Sequence, residues 1–242
     1  MRNLPSDWTL LELVTTYPEL QDALSSRDLN FWSRPEQTLE QACEQTGLKA
    51  SEIREVLCSD SGRTVEEGYP YEGNLEDWSV HILKSHHDWL YRNFPALERL
   101  IGDLASEEQD SWLLESRKLF TELREDLEFH MAKEERILFP LIRFMEMTRR
   151  LPRDLSSCPG SVFGPIAVME ADHQATEGIL QKLHDLVRAW ISDPLAQNKH
   201  IPRRLQEIVL NVRSHIHKEN NILFPRARAL ELELEKEAKG SS

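Results

Sequence analysis

Apolar residues recur at alternating steps of three and four along four long stretches of this chain. Val80, Leu83, His87, Leu90, Phe94, Leu97 and Ile101 fall on one stripe, and Phe120, Leu123, Leu127, His130, Glu134, Ile137 and Leu141 on a second. Ile166, Met169, His173, Thr176, Leu180, Leu183 and Val187 make a third, and Leu205, Ile208, Val212, His215, Glu219 and Ile222 a fourth. This period is that of a helix with one face in a core, and it predicts helices over about 75–103, 108–147, 164–191 and 202–235. No stretch alternates with a period of two between turn signals, so strands are not expected. Long helices joined by short connections at 150–165 and 192–202 predict an all-α, up-down-up-down four-helix bundle. Residues 1–60 read as a separate small helical domain, with a turn at Gly47 and Ser51 as N-cap of the next helix. The polar run 59–74 carries glycines and no periodicity; the domain boundaries are set at 1–60, a linker at 61–74, the bundle at 75–235 and a tail at 236–242.

The stripes are not purely apolar. Each carries one histidine, at 87, 130, 173 and 215, and two add a glutamate one turn later, Glu134 and Glu219. The strings HMAKEERILFP at 130–140 and HIHKENNILFP at 215–225 repeat one another, and the histidines are spaced 43 residues apart in one half and 42 in the other. The chain therefore reads as a duplicated helix pair, each half giving a lone histidine and a His-x-x-x-Glu. Six titratable groups on inward faces need partners, because buried charge must be paired or bound to metal. Four imidazoles and two carboxylates with two-fold symmetry make a cage for two ions, the carboxylates placed to bridge. That donor set suits iron, manganese or zinc better than calcium or magnesium. A purely structural zinc site would instead favour closed, cysteine-rich ligation. His86 lies off its stripe, and Glu177 matches Tyr91 in the other half, so symmetry leaves both out of the ligand set. His81, His184, His200 and His217 also fall outside the stripes and read as surface residues or partners of ligands. Pro140 and Pro225 are expected to bend or end their helices just past the cage.

Charge and composition narrow the partners. A net charge of −13, from 29 Lys+Arg against 42 Asp+Glu, argues against nucleic acid and anionic membrane. The helix-turn-helix-like pattern in 1–60 carries five basic against eleven acidic residues, which speaks against DNA binding there. No apolar run reaches the roughly 18 residues a membrane span needs. The opening MRNLPSDWTLLEL does not read as a secretion signal, and the cysteines, Cys43, Cys58 and Cys158, suit reduced thiols, so a cytoplasmic location is expected.

HMAKEERILFP, GPIAVMEADH and HIHKENNILFP, in this order and spacing, closely resemble the hemerythrin-like bundle of the repair-of-iron-centres (RIC) di-iron proteins over about residues 75–230. The resemblance puts the family's metal ligands on His87, His130, Glu134, His173, His215 and Glu219, the residues that periodicity also selects. It implies two non-haem iron ions bridged by the two glutamates, with an oxo or hydroxo bridge when oxidised. It also implies defence of iron–sulfur enzymes against nitric oxide and oxidative damage. Asp172 matches an acidic position of the family and is a candidate proton donor or partner of a ligand. The expected activity is binding or reduction of nitric oxide, in the manner of a nitric oxide reductase, or supply of iron to damaged clusters. The alternative is a reversible carrier or sensor of O2 or NO. The expected partners are NO, O2 and iron–sulfur proteins, acting on a monomer or homodimer. DLNFWSRPEQTLEQAC at 28–43 is similar to the family's small N-terminal domain, but Trp32-Ser33 and Arg34-Pro35 replace its paired cysteines and following glycines. A thiol role is therefore not carried over.

Overall fold

The computed structural model of the chain describes residues 8–10, 13, 29, 37–51, 53, 73–107, 111–150, 160–192 and 200–240. Expectations for Trp32 to Pro35, Cys58, Cys158 and most of the linker and connections lie outside the described residues. The chain divides into two units, Met1–Tyr69 and Pro70–Ser242.

In the first unit, α1 spans Leu39–Thr46. Thr38 caps it in a reciprocal box with Gln41, and Gly47 closes it with φ 72°, a left-handed conformation that a side chain would strain. The next helix begins earlier than Ser51. Ala50 and Ser51 are already helical and the Ile53 N–H bonds the Lys49 carbonyl, which makes Lys49 the capping residue. Leu10, Leu13, Leu29, Leu39, Ala42, Cys43 and Ile53 are buried, so Cys43 behaves as a small hydrophobe.

The second unit is four helical rods. The first is α2 (Leu75–Ile82), a π-turn (Leu83–His87) and α3 (Asp88–Glu107). The second is α4 (Ser111–Lys133), a π-turn (Glu134–Leu138) and α5 (Phe139–Arg150). The third is α6 (Phe163–Ser192), and the fourth is α7 (His200–Lys218), a π-turn (Glu219–Leu223) and α8 (Phe224–Gly240). Asn74 and Asp77 box the first N-terminus, and buried Glu146 accepts the orphan Leu75 N–H at 3.1 Å. Contacts between rods run in opposite senses. His87 meets Glu135 and Phe94 meets Phe120; His130 meets Asp172 and Trp112 donates to the Leu186 carbonyl. Glu170 takes Arg228 and Glu177 takes Arg213; Lys218 meets His81 and Arg204 meets Asn93. Each rod is thus antiparallel to its neighbour in sequence, and the fourth closes on the first. That is an up-down-up-down bundle, with no strand among the described residues.

The π-turns correct the predicted stripes. The third rod has none, and all seven of its stripe residues are buried, from Ile166 to Val187. Elsewhere the stripe holds on one side of the turn and slips by one residue on the other. Val80 and Leu83 are only half-buried, while Trp78, Ser79 and Ile82 are inside. Ile137 is 51% exposed and Leu141 half-buried, while Leu138, Phe139 and Ile142 face the core. Ile222 gives way to Leu223 and Phe224 in the same manner. A π-turn inserts one extra residue, so the periodicity restarts in a new phase. Pro140 and Pro225 do not end their rods. Each is the second residue after a π-turn, where the wider ring of the turn removes the clash that proline makes in a regular helix, and the rods run on to 150 and 240.

Candidate metal centre

The π-turns present the predicted site. His87 is the last residue of the first turn, and Glu134 and Glu219 are the first residues of the others. His130 and His215 stand one turn before their glutamates, and His173 projects from the middle of α6. All six are at most 3% exposed. Their ligand atoms form two groups, each within 4.8 Å: His87, His215, Glu134 and Glu219, and His130, His173, Glu134 and Glu219. The glutamates belong to both groups, as bridging groups must.

The close geometry suits cations better than hydrogen bonds. Nε2 of His87 lies 3.2 Å from Nε2 of His215, and Nε2 of His173 lies 3.0 Å from Nε2 of His130. All four oxygens of Glu134 and Glu219 are buried without a hydrogen bond of good geometry, although imidazole nitrogens stand 3.0–3.6 Å away. Orphaned carboxylate oxygens facing paired imidazoles are costly in a protein interior unless a cation sits among them.

The outer nitrogens set the tautomers. His87 Nδ1 donates to Glu135 at 2.8 Å and His173 Nδ1 to Asn220 at 2.8 Å, while His130 Nδ1 faces Asp172 at 3.4 Å. With the proton held at Nδ1, each Nε2 turns its lone pair inward. His215 Nδ1 has no hydrogen-bond partner; its ring stacks on His86 instead, 5.5 Å between centres and 12° between planes. Phe139 stacks on His87 and Phe224 on His173, walling the site with hydrocarbon.

Charges in the cage are strongly coupled. Burial alone lowers an imidazole's pKa, but Glu219 and Glu134 outweigh it and push His215 up to about 10. Burial also opposes, and Glu134 and Glu219 again raise, the pKa of His130. Glu134 would be raised by burial, yet His130, His215 and His87 hold it well below the usual carboxylate range.

The remaining sequence candidates fall as follows. Asp172 is part-exposed and bound to Lys133 as well as facing His130. Burial raises its pKa, but the hydrogen bonds to Lys133 and His130 win and hold it below the ordinary value, a place suited to a partner of the His130 imidazole. Glu177 is half-exposed and bound to Arg213, away from both groups. His86 is buried beside the cage, with Asn211 on Nδ1 at 3.0 Å and the Lys218 ammonium on Nε2 at 2.9 Å. Burial, then the charge of Lys218, keep His86 neutral. His81 also contacts Lys218, and burial lowers it to about 4. His184 is buried, His217 half-buried and His200 exposed. Glu135, Asn220, Asn211 and Lys218 were missed by sequence reasoning. Three of them neighbour a ligand or its glutamate in the repeated strings, and that adjacency was the available signal.

The family model for the hemerythrin HHE cation binding domain matches residues 79–227. Among curated proteins, the iron-sulfur cluster repair protein YtfE of Escherichia coli O8 (strain IAI1) is 27% identical over 232 residues, covering 92% of this chain and 97% of that protein. YtfE of Escherichia coli O81 (strain ED1a) is 28% identical with the same coverage, and that of strain K12 / DH10B is 27% identical.

Proposed function

The chain belongs to the hemerythrin HHE cation binding family, and from that premise we propose that it is a non-haem di-iron protein of the nitrosative and oxidative stress response, which binds or reduces nitric oxide or supplies iron to damaged iron–sulfur clusters. One observation carries the reading: two groups of four buried donors share both carboxylates. His87 and His215 would serve one ion, His130 and His173 the other, and Glu134 and Glu219 both. Iron held by these residues would supply a redox-active Lewis acid. The chain does the rest. Glu135, Asn220 and Asp172 fix imidazole tautomers, and Phe139 and Phe224 exclude water. Asp172 with Lys133 forms a polar, part-exposed edge beside His130. The bacterial relatives, alike over nearly their whole length, are named for iron–sulfur cluster repair, which favours the repair role over a reversible carrier. The reading places the protein in the cytoplasm, with iron–sulfur proteins as its clients. Among the described residues no helix is long and apolar enough to cross a membrane.

The test loads the full chain with ferrous iron without oxygen and adds nitric oxide while spectra are recorded. The loaded chain is then mixed with a nitric oxide-inactivated iron–sulfur dehydratase. Expected are a ferrous–nitrosyl absorption and recovery of the dehydratase by loaded but not metal-free protein. No spectral response and no recovery would sink the proposal, and reversible binding without recovery would favour a carrier.

Proton release is a second expectation. In the metal-free chain His215 keeps its proton to about pH 10, and a ligand imidazole must be neutral. Iron uptake at pH 7 should therefore release about one proton or more per chain, measurable in weakly buffered solution, and affinity should climb with pH. Because the folded pKa of His215 lies above the unfolded value, its contribution to metal-free stability is complete below about pH 6.5 and is lost as pH rises through about 10. Thermal melts across that window check the sign.

A further inference from the structure

Resting on the di-iron reading, we infer that the residue following each shared glutamate, Glu135 in one half and Asn220 in the other, makes the two metal positions unequal, with the ion on the His87 side held more tightly. The repeat puts Glu135 and Asn220 at equivalent places, and the structure gives them the same task. Glu135 Oε1 lies 2.8 Å from His87 Nδ1, and Asn220 Oδ1 lies 2.8 Å from His173 Nδ1. The distances match but the acceptors differ. A carboxylate carries a full charge, draws the Nδ1 proton toward itself and makes Nε2 a stronger donor to metal. A neutral amide fixes the same tautomer without adding that charge.

The second imidazole of each position does not reverse the contrast. His130 Nδ1 faces a carboxylate, but at 3.4 Å, and that carboxylate is already neutralised by Lys133. His215 Nδ1 has no acceptor, and its ring is held by the stack on His86, which Asn211 and Lys218 fix in turn. The strongest charge-backed imidazole is therefore His87. A donor built this way gives up the ion on the His173 side first, next to the part-exposed Asp172 and Lys133.

The test uses the full chain, loaded without oxygen with ferrous iron enriched in the Mössbauer-active isotope and then challenged with a ferrous chelator. Two quadrupole doublets of equal area are expected, one lost about tenfold faster than the other, the scale on which an outer partner acts. Two isosteric substitutions assign them, each keeping an oxygen acceptor in place. Glu135→Gln should shift the slowly lost doublet and speed its loss about tenfold, and Asn220→Asp should slow the fast one about tenfold. The double variant should invert the order. Identical doublets lost in one step, or a Glu135→Gln change confined to the fast doublet, would overturn the inference while two bound ions leave the di-iron reading intact. Fewer than two ions in the unsubstituted chain would overturn both. That part of the measurement needs no variant, so misfolding of a substituted chain cannot rescue the idea.

Discussion

Replacing Glu134 with alanine should strip iron from both positions, not one. Both of its oxygens are buried and orphaned, and it stands 3.3 Å from His87 and from His130, on opposite sides of the cage. Removing it takes a donor and a negative charge from each ion at once. The loss should exceed the roughly 10–100-fold in affinity that an outer partner costs. Glu219→Ala should behave alike, since it is shared in the same way between His173 and His215. Glu177→Ala, which removes the half-exposed partner of buried Arg213 and touches neither group of ligands, should retain full iron. Metal analysis after gel filtration measures all three. Equal iron in the three variants would show that the shared carboxylates are not ligands. A metal-independent readout accompanies it, because His130 and His215 owe their raised pKa values to these carboxylates. Histidine titration by NMR in metal-free Glu134→Ala should show both falling.

Leu138→Ala should destabilise the chain by about 2–5 kcal/mol, while its neighbour Ile137→Ala should cost no more than about 0.5 kcal/mol. Leu138 is 1% exposed and Ile137 is 51% exposed. An uninterrupted helical period assigns them the other way round. Denaturant melts of the two variants thus test the π-turn itself. If Ile137→Ala proves the costlier, the turn at Glu134–Leu138 is absent and the rod is a regular helix. Leu223 and Ile222 offer the same comparison on the fourth rod, where Leu223 is the buried one.

The slip at Ile137 marks where the sequence stops being transparent. On α6 the apolar stripe runs unbroken from Ile166 to Val187, and the structure buries each of its members. On the other rods the stripe was legible only on the side of the π-turn from which it was phased, because periodicity assumes a constant residue count per turn. Each π-turn carries a cage residue: His87 ends one, Glu134 and Glu219 begin the others. The irregularity thus falls where the site needs the backbone to turn its donors inward. The cage residues were readable because two strings repeat and because inward imidazoles demand a partner. Their outer partners were not. Nothing in a period of 3.6 says that Asn220 reaches His173, or that His86 lies flat on His215, since those contacts depend on how neighbouring rods cross. His86 was set aside for lying off its stripe, yet the π-turn ending at His87 buries both members of the pair.

The proposed centre holds two ions that share two carboxylates. Its most direct test counts iron in the full chain after anaerobic loading with ferrous iron and removal of excess by gel filtration, with protein fixed by amino-acid analysis. About two ions per chain are predicted, falling below about one when either Glu134 or Glu219 is alanine. One ion per chain, unchanged by either substitution, would contradict the shared-carboxylate cage.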